Sequence, residues 1–147
     1  MLRHPVAVGP ARRAYVAGMS ILALLLTATL FGGMTFYSFG FAPVLFAQLP
    51  TERVRPLLRG TFPYYYLAVI GLSALCAVVA LAVSGLAAGL LAAICATTIY
   101  ARQVLMGQIN AATDRGDMRA FGRLHGMSVA LQVVQIGVAG WALVLLG

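Results

Sequence analysis

Between Arg13 and Glu52 the sequence contains no charged residue, and the same holds between Arg59 and Arg102. Runs of that kind do not build a water-soluble core. Soluble helices alternate apolar and polar faces every few residues, whereas here the apolar residues come in long blocks whose edges carry the arginines. A chain that is 62% hydrophobic and only 9% charged also has too few polar groups to cover a soluble globule of 147 residues. Lipid must solvate it. The expectation is one membrane domain over residues 1–147, all-α, folded as an integral-membrane four-helix bundle.

The first block runs from about Val16 to Leu45. A cleaved signal peptide also starts with basic residues, but its apolar core is only about 7–15 residues long, so this block reads as a retained first helix. About 30 residues at 1.5 Å each make about 45 Å, more than the roughly 30 Å hydrocarbon core. Tilt, a bend near Gly32 and Gly33, or a projecting end before Pro43 takes up the excess. In "LPTERVRPLLRGTFPYYY", Thr51 opens a short interfacial segment over 51–60 in which Pro56 disturbs regular helix. Thr61 then caps a second span over 62–83, with Pro63 in its first turn and Tyr64, Tyr65 and Tyr66 as an interfacial anchor. Ser84 and Gly85 form a very short turn into a third span over 86–112, and Gly85 with Gly89 provides a small-residue pair for close backbone approach. Gly116 breaks the third helix, and Asp117 is placed to N-cap the fourth, over 118–146.

All ten basic residues are arginines, and the formal net charge is +7. Every one lies at or near the edge of an apolar block, where guanidinium groups meet lipid phosphates, so the expected partner is the lipid bilayer and not nucleic acid. A homo-oligomer is compatible with this reading. Cys76 and Cys95 lie inside apolar blocks and argue against a disulfide framework. The two loops joining spans one to two and three to four share a membrane side and hold seven arginines, counting Arg102, against three in the N-terminal tail. That imbalance places the loops in the cytoplasm and both termini on the outer, periplasmic side of the inner membrane.

His125, Ser128, Gln132 and Gln135 recur on the fourth span at spacings that keep them within about 80° of one face. Lipid cannot satisfy such groups, so this face is expected to turn inward. Cys95, Thr98, Arg102 and Met106 share a face of the third span, with Gln103 and Asn110 at its margin, and the first span adds Thr35 and Ser38. The candidate ligand-binding seam is therefore His125, Arg102, Gln103, Asn110, Ser128, Gln132, Thr35 and Ser38. Small hydroxyls can serve as interhelical glue alone, but ionisable groups within a span, His125 and Arg102, point to function. Candidate ligands for a soft metal ion are His125, Cys95 and Met106, with Met34 as a further thioether. Asp114 and Asp117 read as a cap and as offsets to Arg115 and Arg119, and no catalytic residue is assigned. No zinc spacing, nucleophile triad or phosphate loop is present.

Three ordered motifs carry a family resemblance: "FGGMTFYSFGFAPVLFAQLP", "LLRGTFPYYY" and "INAATDRGDMRAFGRLHGMSVALQVVQ". Over about Phe31 to Gln135 the chain resembles the transmembrane protein 205-like family, small four-helix membrane proteins carried in bacteria as a domain of unknown function. The family pattern falls on Gly33, Pro43, Phe46, Leu49, Pro50, Phe62, Pro63, Tyr65, Asn110, Phe121, His125 and Ser128, with Gln132 where the pattern has Asn. A looser likeness extends to copper-resistance protein D and to HemJ-type protoporphyrinogen oxidases. The latter are associated with histidines in their early helices, and the first span here has none.

The expected function is non-enzymatic: binding or transport of a small solute or soft metal ion through the seam, with no cofactor required. A membrane-bound haem- or porphyrin-related redox enzyme and a scaffold or assembly subunit are the alternatives. The orientation is directly testable. Single cysteines at Thr51 and Asp114, in a chain whose Cys76 and Cys95 are Ala, are expected to resist an impermeant thiol reagent in intact cells. Ready labelling of both would reverse the topology.

Overall fold

The computed structural model describes residues 9–147, so Arg3 and His4 of the N-terminal tail lie outside the described residues. Four helices cross the molecule: α1 (Pro10–Gln48), α2 (Thr51–Ala80), α3 (Gly85–Asp114) and α4 (Met118–Leu146), each long and apolar enough to span a bilayer. Helix α1 packs on α2 and α4, and α3 packs on the same two, so the helices stand in cyclic chain order. Helices α2 and α4 therefore face each other across one diagonal of the bundle, and α1 and α3 across the other.

Helix α1 is longer at both ends than its apolar block. Pro10 sits at its first position, where the missing N–H costs nothing, and Pro43 is accommodated inside it. Gly32 and Gly33 do not break it. The irregularity comes later, as a π-helical turn over Phe36–Phe41, and α3 carries a second such turn over Ala101–Leu105. A π turn inserts about one residue into the helical repeat and re-aims the side chains that follow.

The expected interfacial segment at 51–60 does not exist as a separate element. Helix α2 is continuous from Thr51 through Pro56 and Pro63, and Thr61 caps nothing; its hydroxyl donates to the Leu58 carbonyl at 3.2 Å. Each proline removes one backbone hydrogen bond, but the Glu52 end of the helix is exposed, where water can satisfy a freed carbonyl. Val54 and Leu58 are buried and dock this projecting end. Arg59 then ties it to the end of α3 by a two-pronged pair with Asp114, at 2.6 and 2.9 Å. The partner of Asp114 is thus a residue 55 positions away, not its neighbour Arg115.

Two turns follow their local chemistry. Ser84 N-caps α3 by accepting from the Ala87 N–H at 3.3 Å. Gly116 adopts φ +69°, a left-handed conformation that Gly enters without a Cβ penalty, and Asp117 N-caps α4 by accepting from the Ala120 N–H at 3.0 Å.

The bundle is filled by two unlike layers. Toward the short α2–α3 turn, small residues let the backbones approach: Ala23, Ala80, Ala87, Ala88, Ala139 and Ala142 are buried among Leu30, Met34, Leu91 and Ile94. Gly85 and Gly89, expected at a helix contact, are exposed, and a Cβ at either would meet no neighbour within 4 Å, because the buried face of α3 falls on Ala87 and Ala88 instead. Between helices, Gly140 allows a close approach: a Cβ there would lie 3.4 Å from the Phe31 ring. Between lipid-solvated helices, van der Waals fit of this kind replaces the hydrophobic drive.

Replacing Asp117 by Ala removes the cap of α4 and is expected to cost roughly 0.5–2 kcal/mol, with Asp117→Asn much closer to wild type. Unfolding of the detergent-solubilised protein in graded denaturing detergent measures both.

Candidate functional site

The second layer, toward the arginine-rich loops, is aromatic and polar. Three consecutive tyrosines on a helix spread over about 200°, so they cannot all anchor at one interface. Tyr64 is 75% exposed, as an anchor should be, but Tyr66 is only 6% exposed and Tyr65 is half-buried. Tyr65 stacks on Tyr37 of the α1 π turn, with ring centroids 4.0 Å apart and planes 13° from parallel. Phe62 meets Tyr37 edge-on at 5.7 Å and lies against Tyr66 at 5.8 Å. Ala101 and Leu105 of the α3 π turn pack against Tyr66 from the opposite side of the layer.

The hydroxyls of this stack span the diagonal. Gln132 of α4 donates its side-chain amide to the Tyr65 hydroxyl, and the Ser128 hydroxyl pairs with that of Tyr66 at 3.4 Å. Tyr37 pairs with Thr61 at 3.2 Å, joining α1 to α2. One turn deeper, the Gln135 amide donates to Thr97 at 2.7 Å and to Thr98 at 3.1 Å, while each threonine hydroxyl donates back to a carbonyl of its own helix. Every helix is thereby tied to another by at least one polar contact, in a medium that offers no competing water.

Among the described residues, three buried side-chain polar atoms lack a partner: Thr27 Oγ1, Thr35 Oγ1 and Arg102 Nε. Thr35 immediately precedes the α1 π turn and Arg102 lies within the α3 one. Both distorted turns of the bundle thus carry an unsatisfied polar group beside the tyrosine layer.

Of the residues marked out in the sequence, Ser128 and Gln132 enter the seam, and Thr35, Ser38, Arg102 and Asn110 are half-buried around it. Gln103 is exposed. His125 is exposed too, with its ring stacked on Phe121 at 5.3 Å and 6°, and it makes no hydrogen bond to Arg102, Gln103 or Asn110. The expected inward turn of His125 is therefore corrected. The buried face of α4 is set by Gln135, Ala139, Ala142 and Leu146, and on a regular helix His125 lies about 70° from its centre, against about 10° for Ser128. The three soft-metal candidates are likewise not brought together: Cys95 donates to the Ile70 carbonyl at 3.7 Å, Met106 packs beside Leu105, and His125 faces outward. Among the described residues no three His, Cys, Asp or Glu side chains converge.

Sequence reasoning missed Tyr37, Thr61, Tyr65, Tyr66 and Thr97 as seam residues. The signal lay in the tyrosine triplet itself, whose angular spread had to send part of it inward. Removing the deeper tie by Gln135→Leu is expected to cost roughly 0.6–2 kcal/mol, because Thr97 and Thr98 keep their carbonyl partners. His125→Ala is expected to leave stability unchanged within about 0.5 kcal/mol, as for other exposed positions. Both follow from the same detergent-unfolding curves.

The comparisons with known proteins bear on this arrangement through one family. Its model, described as a domain of unknown function (DUF4149), matches residues 25–117. The match contains Tyr37, Thr61, Tyr65, Tyr66, Thr97 and Thr98, and stops before Ser128, Gln132 and Gln135 on α4. No curated protein and no solved structure matches the chain. Since the matched region exceeds half of the 147 residues and takes in most of α1 with all of α2 and α3, the chain belongs to the DUF4149 family, a domain of unknown function.

Proposed function

We propose that this multi-pass protein sits in the inner membrane with its arginine-rich loops in the cytoplasm, and that its tyrosine layer binds a small polar solute on its way across the bilayer. The observation that carries the reading is the coincidence of two π-helical turns with two buried, unpartnered polar atoms, Thr35 Oγ1 and Arg102 Nε, on either side of that layer. Buried donors and acceptors are ordinarily paired, and π turns occur disproportionately at functional sites. A solute carrying an acceptor for Arg102 and a hydrogen-bonding group for Thr35 would satisfy both. The hydroxyls of Tyr65 and Tyr66 would exchange their Gln132 and Ser128 partners for it as it passes.

The resemblance to the transmembrane protein 205-like family belongs to this reading, since its pattern includes Tyr65, Asn110 and Ser128 at or near the layer. Nothing in the geometry favours the porphyrin alternative or a soft-metal site: the single histidine among the described residues, His125, is exposed and stacked on Phe121.

Native mass spectrometry of protein extracted from its own membrane in mild detergent tests the proposal. The expected result is a small-molecule adduct on the wild type that is lost in Tyr65→Phe and in Arg102→Gln while the folded protein is recovered. An adduct-free wild type, or one whose adduct survives both substitutions, would remove the basis for a solute site.

A further inference from the structure

Outside the tyrosine layer, two cavities lie along the lipid-facing groove between α3 and α4. One, of about 450 Å³, is lined by Gln108, Ala111 and Arg115 from α3 and by Ala120, Arg123, Leu124 and Met127 from α4. The other, of about 600 Å³, continues along Tyr100 and Leu105 on α3 and Met127, Ala130, Leu131 and Val134 on α4. Met127 lines both, so they meet. On α4 the lining residues 120, 123, 124, 127, 130, 131 and 134 follow the three-and-four spacing of a single helix face, which makes the two cavities one continuous groove.

The groove is polar at one end and apolar along the rest. Arg115 caps the C-terminus of α3 and Arg123 stands in the second turn of α4, both at the loop face and both exposed. The acidic residues beside them are otherwise engaged: Asp114 with Arg59, Asp117 with the Ala120 N–H. Among the described residues, neither Arg115 nor Arg123 has an ion-pair partner. From Ala120 to Val134 the helix rises about 21 Å, enough to run from the headgroup layer through one leaflet's share of the roughly 30 Å hydrocarbon core.

We infer that this groove is a binding site for an anionic phospholipid. The phosphate lies between Arg115 and Arg123, within reach of Gln108, and an acyl chain lies along Met127, Ala130, Leu131 and Val134. Two guanidinium groups present matched N–H forks to phosphate oxygens, and the net positive charge at that end disfavours a headgroup that carries its own cation. The site opens on the outer side of the α3–α4 contact; it shares Leu105 and Thr97 with the interior but none of Tyr37, Tyr65, Tyr66, Arg102, Ser128 or Gln132, so it is tested apart from the solute reading.

Native mass spectrometry of the whole protein, delipidated and then given phosphatidylglycerol, phosphatidylcholine or inorganic phosphate, decides it. One phosphatidylglycerol is expected to be retained preferentially. Each basic side chain near an anionic headgroup contributes roughly fivefold in affinity, so Arg115→Gln with Arg123→Gln is expected to weaken retention about twenty- to thirtyfold. Ala130→Trp, which fills the apolar groove and leaves both arginines in place, is expected to reduce it as well, whereas Tyr65→Phe leaves it unchanged. Where the double variant is not recovered folded, as judged by helical circular dichroism, each single Arg→Gln variant is read against the roughly fivefold loss. Equal retention of phosphatidylcholine, full binding of inorganic phosphate in place of lipid, or wild-type retention by the arginine or Ala130 variants would each overturn the assignment.

Discussion

A hydroxyl or amide carried into hydrocarbon must find its partner within the protein, because the surrounding solvent supplies none. In this bundle that requirement is met by contacts across the α2–α4 diagonal, where Gln132 reaches Tyr65 and Ser128 reaches Tyr66. Helices on a diagonal have no ridge-and-groove contact to hold them, so long polar side chains fix their spacing. The tyrosine rings fill this end of the bundle, and Tyr37 stacks on Tyr65 from α1. At the other end, where no polar bridge intervenes, alanines bring the helices together. The π turns at Phe36–Phe41 and Ala101–Leu105 lie at the level of the aromatic layer, where α1 and α3 must adjust to it.

The charged loop face obeys a different economy. Seven arginines meet only three acidic residues there, and two of the acids have structural assignments: Asp114 holds the projecting end of α2 to the end of α3, and Asp117 starts α4. The remaining guanidinium groups are left for water and lipid phosphate. Such an excess suits a surface pressed against an anionic leaflet, where unpaired arginines lower the energy of the assembly and do not repel one another without compensation. Arg102 stands apart from this group because its position within the π turn of α3 draws part of its side chain out of solvent.

The four spans, their order, the Gly116 break and the Asp117 cap were all readable along the chain, since each depends on residues within a few positions of one another. Hydrophobic blocks report burial in lipid regardless of neighbours, and a capping carboxylate acts on its own helix. Pro56 misled for a related reason. Its local cost was legible, but the compensation came from a distant pair, Arg59 with Asp114, and from the burial of Val54 and Leu58. The site was legible only in part. Ser128 and Gln132 could be placed on the inner face of α4 by periodicity, but His125 sat close enough to that face in sequence terms to be counted with them.

What separated His125 from Ser128 was the exact rotation of α4, and no short stretch of sequence carries it. That rotation follows from which side of α4 meets α1 and α3, here the side of Gln135, Ala139, Ala142 and Leu146, and it leaves His125 stacked on Phe121 at the surface. The same holds for the tyrosines: their composition and spacing demanded that some turn inward, while the choice of Tyr65 and Tyr66 over Tyr64 belongs to the packing of α2 against α1 and α3 and to its hydrogen bonds with α4. Membrane insertion, helix count and helix ends are one-dimensional properties, set by local transfer energies and backbone chemistry. The pairing of Tyr65 with Gln132, 67 positions apart, exists only once four helices have been rotated into register, because a side-chain hydrogen bond is decided by a few ångströms that no local preference specifies.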